Sequence, residues 1–422
     1  MSPDEALLDS VERRTVDYFW SGAEPVSGMA RERYHVDEPE VEAEVVTSGG
    51  SGFGIMALIA GIEREYIPLE EGFARFERIV SFLEGADRFH GAAPHWWYGP
   101  TGRVKPFSPQ DDGGDLVETA FLMQGLLTLR QYLSDGGERE MRLVERIDRL
   151  WHAVEWDWYR NGQNVLYWHW SPTHGWTMNM PVRGFNECLV MYVLAAGSPT
   201  HPVDPAVYHE GWAEGGAIVQ PHEVEGQTLR LRNQGAAAGP LFWAHYSFLG
   251  LDPRGLRDRY ADYGDEMRAL TLANRAYCIR NPKGYDGYGE ACWGLTSSYS
   301  PGGYVGHAPV GERDLGVISP TAALSSVVYA PEYALEVMRH LRADRPGLWG
   351  PYGFYDAFSP STGWYVPRYL AIDQGPVAVM IENYRSGLLW ELFMSHPDVQ
   401  RGLRRLGFGS PHLKDKTRRT GR

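Results

Sequence analysis

Apolar positions along this chain recur with a helical period, and they do so in two alternating styles. Phe73, Phe76, Ile79, Val80 and Leu83 form one stripe, leaving Glu70, Glu71, Arg75, Glu77 and Arg78 for solvent. Val144, Ile147, Leu150, Trp151, Val154 and Trp158 repeat that stripe, so the spacing predicts an amphipathic helix over 139–158. Other stretches are apolar almost all round: GFGIMALIAGI (52–62), LVETAFLMQGLLTL (116–129) and FNECLVMYVLAA (185–196). GPLFWAHYSFLG, TAALSSVVYA and GPVAVMIENYRSGLLWELF continue that second series. A helix without a polar face must be covered on every side. Amphipathic segments at 4–20, 69–85, 139–158, 204–213, 262–280 and 331–342 alternate with the enclosed ones. The pattern predicts an all-α fold in which an inner ring of helices is wrapped by an outer ring. Neighbours in sequence pack antiparallel, so the inner helices run the same way and their N-termini gather at one end.

Connections leaving the inner helices are short, such as 64–68 and 134–138, whereas those leading into them are long: 22–50, 87–113, 160–184, 214–238, 281–319 and 344–373. Long loops within a compact domain tend to carry function. These are rich in Gly, Pro and aromatics, and Trp96, Trp97, Trp168, Trp170, Trp176, Trp293, Trp349 and Trp364 fall inside them. Core packing explains many large aromatics, but a loop set with this many indoles also suits a cleft that stacks sugar rings. No linker interrupts Pro3 to Phe408, so residues 1–409 are expected to form one domain, and 410–422 a disordered basic tail.

Charge narrows the classes further. The 422 residues hold 40 Lys and Arg against 54 Asp and Glu, a formal charge of −14. That balance argues against a nucleic-acid partner, because basic side chains must neutralise phosphates. No apolar run reaches the ~20 residues of a membrane span. Residues 1–20 lack a basic-then-apolar leader pattern, which suggests a cytoplasmic protein as written, or a periplasmic or secreted one if a leader precedes it. Three cysteines, Cys188, Cys278 and Cys292, offer neither a disulfide framework nor a zinc ribbon. There is no HExxH, no calcium-loop spacing and no serine elbow, so no metal or cofactor is implied.

The carboxylates carry the candidate chemistry. DDGGDLVE places Asp111, Asp115 and Glu118 at the head of an enclosed helix. Asp115 with Glu118 also has the form of a capping box. Read as DDxxD, the run would instead hold magnesium on a diphosphate, as in helical prenyl-transfer enzymes, but Gly113 and Gly114 break the helix that reading needs. Glu187 heads the next enclosed helix with Arg183 four residues before it, where the two form either a buried ion pair or a general acid and its neighbour. Asp373 precedes the last enclosed helix, as an N-cap or as a third member of the same end. Glu290 is a weaker candidate of that kind, and His169, between Trp168 and Trp170, is placed to donate to a sugar hydroxyl or to satisfy a loop. GGSGFG (49–54) resembles a phosphate loop, yet no strand precedes it and close helix packing accounts for it better.

Four segments carry a specific likeness: TSGGSGFGIMALIAGIERE, GDLVETAFLMQGLLTLRQYL, AVEWDWYRNGQNVLYWHWSPTHGWTMNMPVRGFNECLVMYVLAA and GFYDAFSP. They resemble the bacterial glucoamylase-like proteins, in particular the endo-β-1,2-glucanases of glycoside hydrolase family 144, over about residues 8–408. The resemblance implies an (α/α)6 barrel that cleaves linear β-1,2-glucan to sophorose and sophoro-oligosaccharides with inversion. It places family acids at Asp111, Asp115, Glu118 and Glu187, and at Asp373. Inversion needs one acid and one base about 6.5–9.5 Å apart. Glu187 is the expected acid and Asp373 the expected base, with Asp111 and Asp115 as rivals. Trp97, Trp168, His169, Trp170, Trp176, Arg183, Trp293 and Tyr355 are the expected sugar contacts. Another sugar-active (α/α)6 enzyme, such as an exo-acting hydrolase or transglycosylase, or a non-catalytic glycan-binding protein, would share these features.

Overall fold

The structure, a computed structural model, describes residues 2–232 and 238–413. Outer helix α1 (Pro3–Trp20) leads to inner helix α2 (Ser48–Glu63), and α3 (Leu69–Gly85) to α4 (Leu116–Tyr132). Next come α5 (Glu138–His152) and α6 (Leu189–Gly197), then a π-helical outer turn (Val207–Trp212) and a pair of inner 3₁₀ turns (Leu241–Ala244, Tyr246–Leu249). Outer α7 (Tyr263–Arg280) and inner α8 (Pro320–Ser325), outer α9 (Pro331–Asp344) and inner α10 (Ala371–Arg385) close the double ring. Helix α10 packs against both α8 and α2, α2 against α4, and α4 against α6, which carries the inner ring from α8 round to α6. The fold is an (α/α)6 barrel.

Two sequence-derived boundaries move. The amphipathic run ends at His152 rather than 158, and Trp158 lies in a short turn with its ring stacked 3.8 Å from that of His90. The last enclosed run is not one helix: Gly387, at φ 76°, turns the chain into α11 (Leu388–Ser395), followed by α12 (Pro397–Arg405). Helices α11 and α12 cover α4 and α6 from outside. Among the described residues no helix is long and apolar enough to cross a membrane.

The enclosed helices approach closely where side chains vanish. A Cβ on Gly52 would lie 2.1 Å from the carbonyl oxygen of Phe121, and one on Gly125 would lie 2.1 Å from that of Gly52, so α2 and α4 cross backbone to backbone. This is the role of the GGSGFG segment. The fourth inner element is made of 3₁₀ turns and leaves carbonyls without helical partners. Buried polar side chains from three neighbours take them: Gln124 Nε2 donates to Tyr246 O at 3.0 Å, Tyr329 Oη to Ala244 O at 2.6 Å and Asn383 Nδ2 to Leu249 O at 3.0 Å.

The long loops lie across the N-terminal end of the inner ring as short antiparallel strands. Strand β1 (Arg33–His35) pairs with residues 368–370, while β2 (Val45–Thr47), β3 (Trp96–Tyr98) and β4 (Arg103–Lys105) form one small sheet. Strand β5 (Gly114–Asp115) pairs with β6 (His169–Trp170). Of the basic tail, residues 414–422 lie outside the described residues. Before them, His412 Nε2 sits 2.8 Å from Asp252.

Candidate active site

A cavity of about 280 Å³ opens among these strands over the heads of the inner helices. Its lining combines Glu118, Glu187, Glu32, Arg33 and His95 with Trp96, Phe107, Phe121, Trp168, Phe242, Tyr246 and Tyr304, and is completed by Leu370 and Ile372.

Asp115 organises one wall. It is fully buried and caps α4, with Oδ1 accepting from Glu118 N at 2.9 Å. Its Oδ2 accepts from Trp168 Nε1 at 3.1 Å and lies 3.0 Å from His95 Nδ1. The predicted capping box is therefore half formed. Glu118 does not reach back, but crosses to α2, where its Oε2 accepts from Gly49 N at 2.9 Å. A Cβ on Gly49 would meet that oxygen at 2.2 Å, so only glycine permits the link. Burial alone would strip the His95 proton, but Glu118 and Asp115 outweigh it and hold the imidazole up at about 10. Burial pushes Glu118 up to about 8, against the pull of His95 and with the push of Asp115 and Glu32. His95 and Glu118 therefore titrate together, the imidazole favoured in its charged form by the carboxyls it faces.

Glu187 stands in the turn before α6. Gly184, at φ 74°, and Asn186, whose Oδ1 accepts from Cys188 N at 3.0 Å, set that turn. Burial pushes its carboxyl up to about 7, opposed by a backbone N–H and reinforced by Asp115. Arg183 aims its guanidinium at the carbonyls of Glu210 and Gly211, at 3.2 and 3.4 Å. Among the described residues no side chain hydrogen-bonds the Glu187 carboxyl, which leaves its proton available to a bound molecule.

The remaining expected acids sit behind the wall. Asp111 Oδ1 lies 3.0 Å from Nε2 of the buried His169, so His169 faces Asp111 rather than the cavity. Asp373 is not the N-cap of α10, which is Leu370. It is 3 % exposed, and its Oδ1 accepts from Tyr246 Oη at 3.2 Å. Burial and the neighbouring Asp356 carboxyl raise it well above the usual carboxylate range. Glu290 is exposed in a turn. His95, Asp111 and Asp115 each bring one donor atom within 4.8 Å of the others. Asp115 Oδ2 already faces two N–H groups there, whereas Asp111 Oδ1 is buried without a hydrogen-bond donor among the described residues.

Several expected sugar contacts are corrected. Trp97 and Trp293 are fully buried in the core. In β3 successive side chains face opposite ways, so Trp96 lines the cavity while Trp97 turns inward and donates Nε1 to Asp87 O at 2.9 Å. Trp170 packs edge-on to His90 and Trp158, and Trp176 against Tyr159 and Tyr167, outside the cavity. Tyr355 stacks with Tyr365 away from the lining. Of the tryptophans in the long loops, Trp96 and Trp168 line the cavity. His95, Glu32, Arg33, Tyr246 and Tyr304 were missed. The HWWY run, read as a strand, carries the signal for Trp96 and its neighbour His95; nothing local marks the others. Trp97→Ala is expected to cost about 3–5 kcal/mol of stability with KM unchanged, which thermal unfolding beside steady-state kinetics checks.

The chain as a whole is similar to known proteins. A family model described as "Putative glucoamylase" matches residues 179–397. A Bacteroides caccae protein of the same description is 68 % identical, covers 96 % of this chain and 100 % of its own, and superposes with a TM-score of 0.95. An endo-β-1,2-glucanase from Chitinophaga pinensis, solved with sophorotriose and glucose, is 61 % identical over 98 % of this chain and 100 % of its own, with a TM-score of 0.96. The chain belongs to the glucoamylase-like family. Within it, an exo β-1,2-glucooligosaccharide sophorohydrolase (non-reducing end) from Parabacteroides distasonis is 44 % identical over 96 % of this chain. This glucoamylase-like chain spans 58 % of the length of that relative.

Proposed function

We propose that the protein is a glycoside hydrolase that cleaves β-1,2-glucan to sophorose and short sophoro-oligosaccharides with inversion at the anomeric carbon. The observation that carries this reading is the Glu187 carboxyl, held near neutrality by burial and opening into an aromatic cavity. The activities named for the Chitinophaga and Parabacteroides relatives support it. Glu187 donates its proton to the leaving glycosidic oxygen. Asp373 takes the proton of the attacking water through Tyr246, whose hydroxyl links the cavity wall to the carboxylate. Asp115, His95 and Asp111 hold the wall in place, and Trp96, Trp168, Phe107 and Phe242 supply faces for pyranose rings. Acid–base hydrolysis by two carboxyls needs no cofactor.

Linear β-1,2-glucan, β-1,3-glucan and α-1,4-glucan incubated side by side test the proposal. Sophorose and its short homologues are expected from the first alone, released initially as the α-anomer. Cleavage confined to either other glucan, or none of β-1,2-glucan, would overturn it.

A further inference from the structure

Behind the cavity lies a carboxyl pair of which only one member was expected. Asp356, in GFYDAFSP, is fully buried, and its main chain is pinned by Arg368 O, which accepts from its N–H at 3.0 Å, and by the Ser319 hydroxyl, which donates to its carbonyl at 2.7 Å. Its carboxyl abuts that of Asp373. Each carboxyl has one oxygen served by a donor: Tyr299 N donates to Asp356 Oδ2 at 2.8 Å, and Tyr246 Oη to Asp373 Oδ1 at 3.2 Å. The other two oxygens, Asp356 Oδ1 and Asp373 Oδ2, are buried and receive no donor from the protein. Two buried acceptors side by side are satisfied together by a single proton between them, and two full charges there would repel in a poorly solvated place.

The surrounding charges do not supply an alternative. Arg33 is the nearby cation, but it already lies 3.2 Å from Glu42 and 3.7 Å from Glu32. Glu32 itself adds negative potential at Asp373. Tyr299 and Tyr304 present neutral phenols, and His245, in the small void that Asp373 also lines, is held neutral by burial.

We infer that Asp356 and Asp373 share one proton as a singly charged pair, and that Asp356 is the positioning residue that keeps Asp373 able to accept a second. This rests on the role proposed above for Asp373. In each turnover the pair takes up the proton released by the attacking water and becomes neutral, while Glu187 loses its proton to the leaving oxygen. Exchange with solvent then returns one proton to Glu187 and removes one from the pair.

Infrared difference spectra and pH–rate profiles of the intact enzyme test the pairing. The wild type is expected to show, at neutral pH, a protonated-carboxyl carbonyl band that disappears in both Asp356→Asn and Asp373→Asn. In Asp356→Asn an amide N–H takes the place of the shared proton on Asp373 Oδ2 and is a weaker donor, so the Asp373 anion is less well stabilised. The acidic limb of kcat/KM then moves to higher pH. Persistence of the band in Asp356→Asn, or an unmoved limb with a uniform loss of rate, would overturn the inference. Wild-type activity in Asp373→Asn would instead remove the base assignment, and the infrared comparison would still decide the pairing. If Asp356→Asn does not fold, Asp356→Ser takes its place in the infrared comparison: loss of the band there supports the shared proton, and its survival excludes it.

Discussion

Glu187→Gln is expected to lower turnover of β-1,2-glucan by about 10²–10⁴-fold, the range contributed by a positioned general acid, while thermal unfolding stays close to wild type. The amide keeps the side chain's volume, and the local bond to the Ser247 hydroxyl is made by the Glu187 main-chain carbonyl, which the substitution leaves alone. The pH dependence sharpens the test. Burial raises the Glu187 carboxyl to about 7, so the protonated form needed to protonate the leaving oxygen is present below that value. Wild-type activity should therefore fall as pH rises through about 7, and the residual activity of the variant should lack that alkaline limb. Full activity in Glu187→Gln, or an unchanged alkaline limb, would show that another group protonates the leaving oxygen.

A stability effect as large as that of Trp97→Ala is expected at the opposite end of the barrel. Arg385, near the C-terminus of α10, has a side chain only 6 % exposed and lies 2.5 Å from Glu12 Oε2 and 2.6 Å from Glu5 Oε1, both on α1. Beside it Arg64, just past α2, lies 2.7 Å from Glu382. Burial pushes Glu12 up to about 8, with Glu382 adding to the rise and Arg385 opposing it. Arg385→Ala leaves this fully buried carboxyl beside Glu382 without its cation, a change expected to cost about 3–5 kcal/mol. The sign with pH follows. In the variant Glu12 binds its proton in the folded state more tightly than in the unfolded one, so folding weakens as pH rises toward and beyond 8. Urea unfolding at pH 6 and pH 9 should show the gap from wild type widening at the higher pH. The double change Glu12→Gln with Arg385→Met should recover most of the loss. A loss below about 1 kcal/mol would place the pair among weak surface contacts.

Much of this molecule was legible before its coordinates. The alternation of amphipathic and enclosed helices follows from apolar spacing within single segments, which is why α3 and the Phe73–Leu83 stripe match the sequence reading closely. The site was legible in part. Asp115 and Glu118 were marked by a capping pattern, yet the pattern implied a reciprocal bond, and Glu118 bonds Gly49 instead, 69 residues away. Arg183 and Glu187 looked like a pair at helical spacing, but the chain at 183–188 is not yet helix and Arg183 reaches carbonyls of the π-helical turn. Tryptophan abundance pointed to a cleft without saying which indoles face it. Trp96 and Trp97 differ by one residue and fall on opposite sides of a strand only three residues long.

The amino-acid sequence alone determined the double ring and the end at which the long loops gather, and marked Glu118 and Glu187 there, because helical period and loop length are properties of contiguous segments. Tertiary structure alone decided that His95 sits between Glu118 and Asp115, that Tyr246 stands between the cavity and Asp373, and that Asp356 abuts Asp373. Those contacts join residues up to 127 positions apart. Burial and neighbouring charge set the protonation of each carboxyl, and both arise only when distant segments pack together.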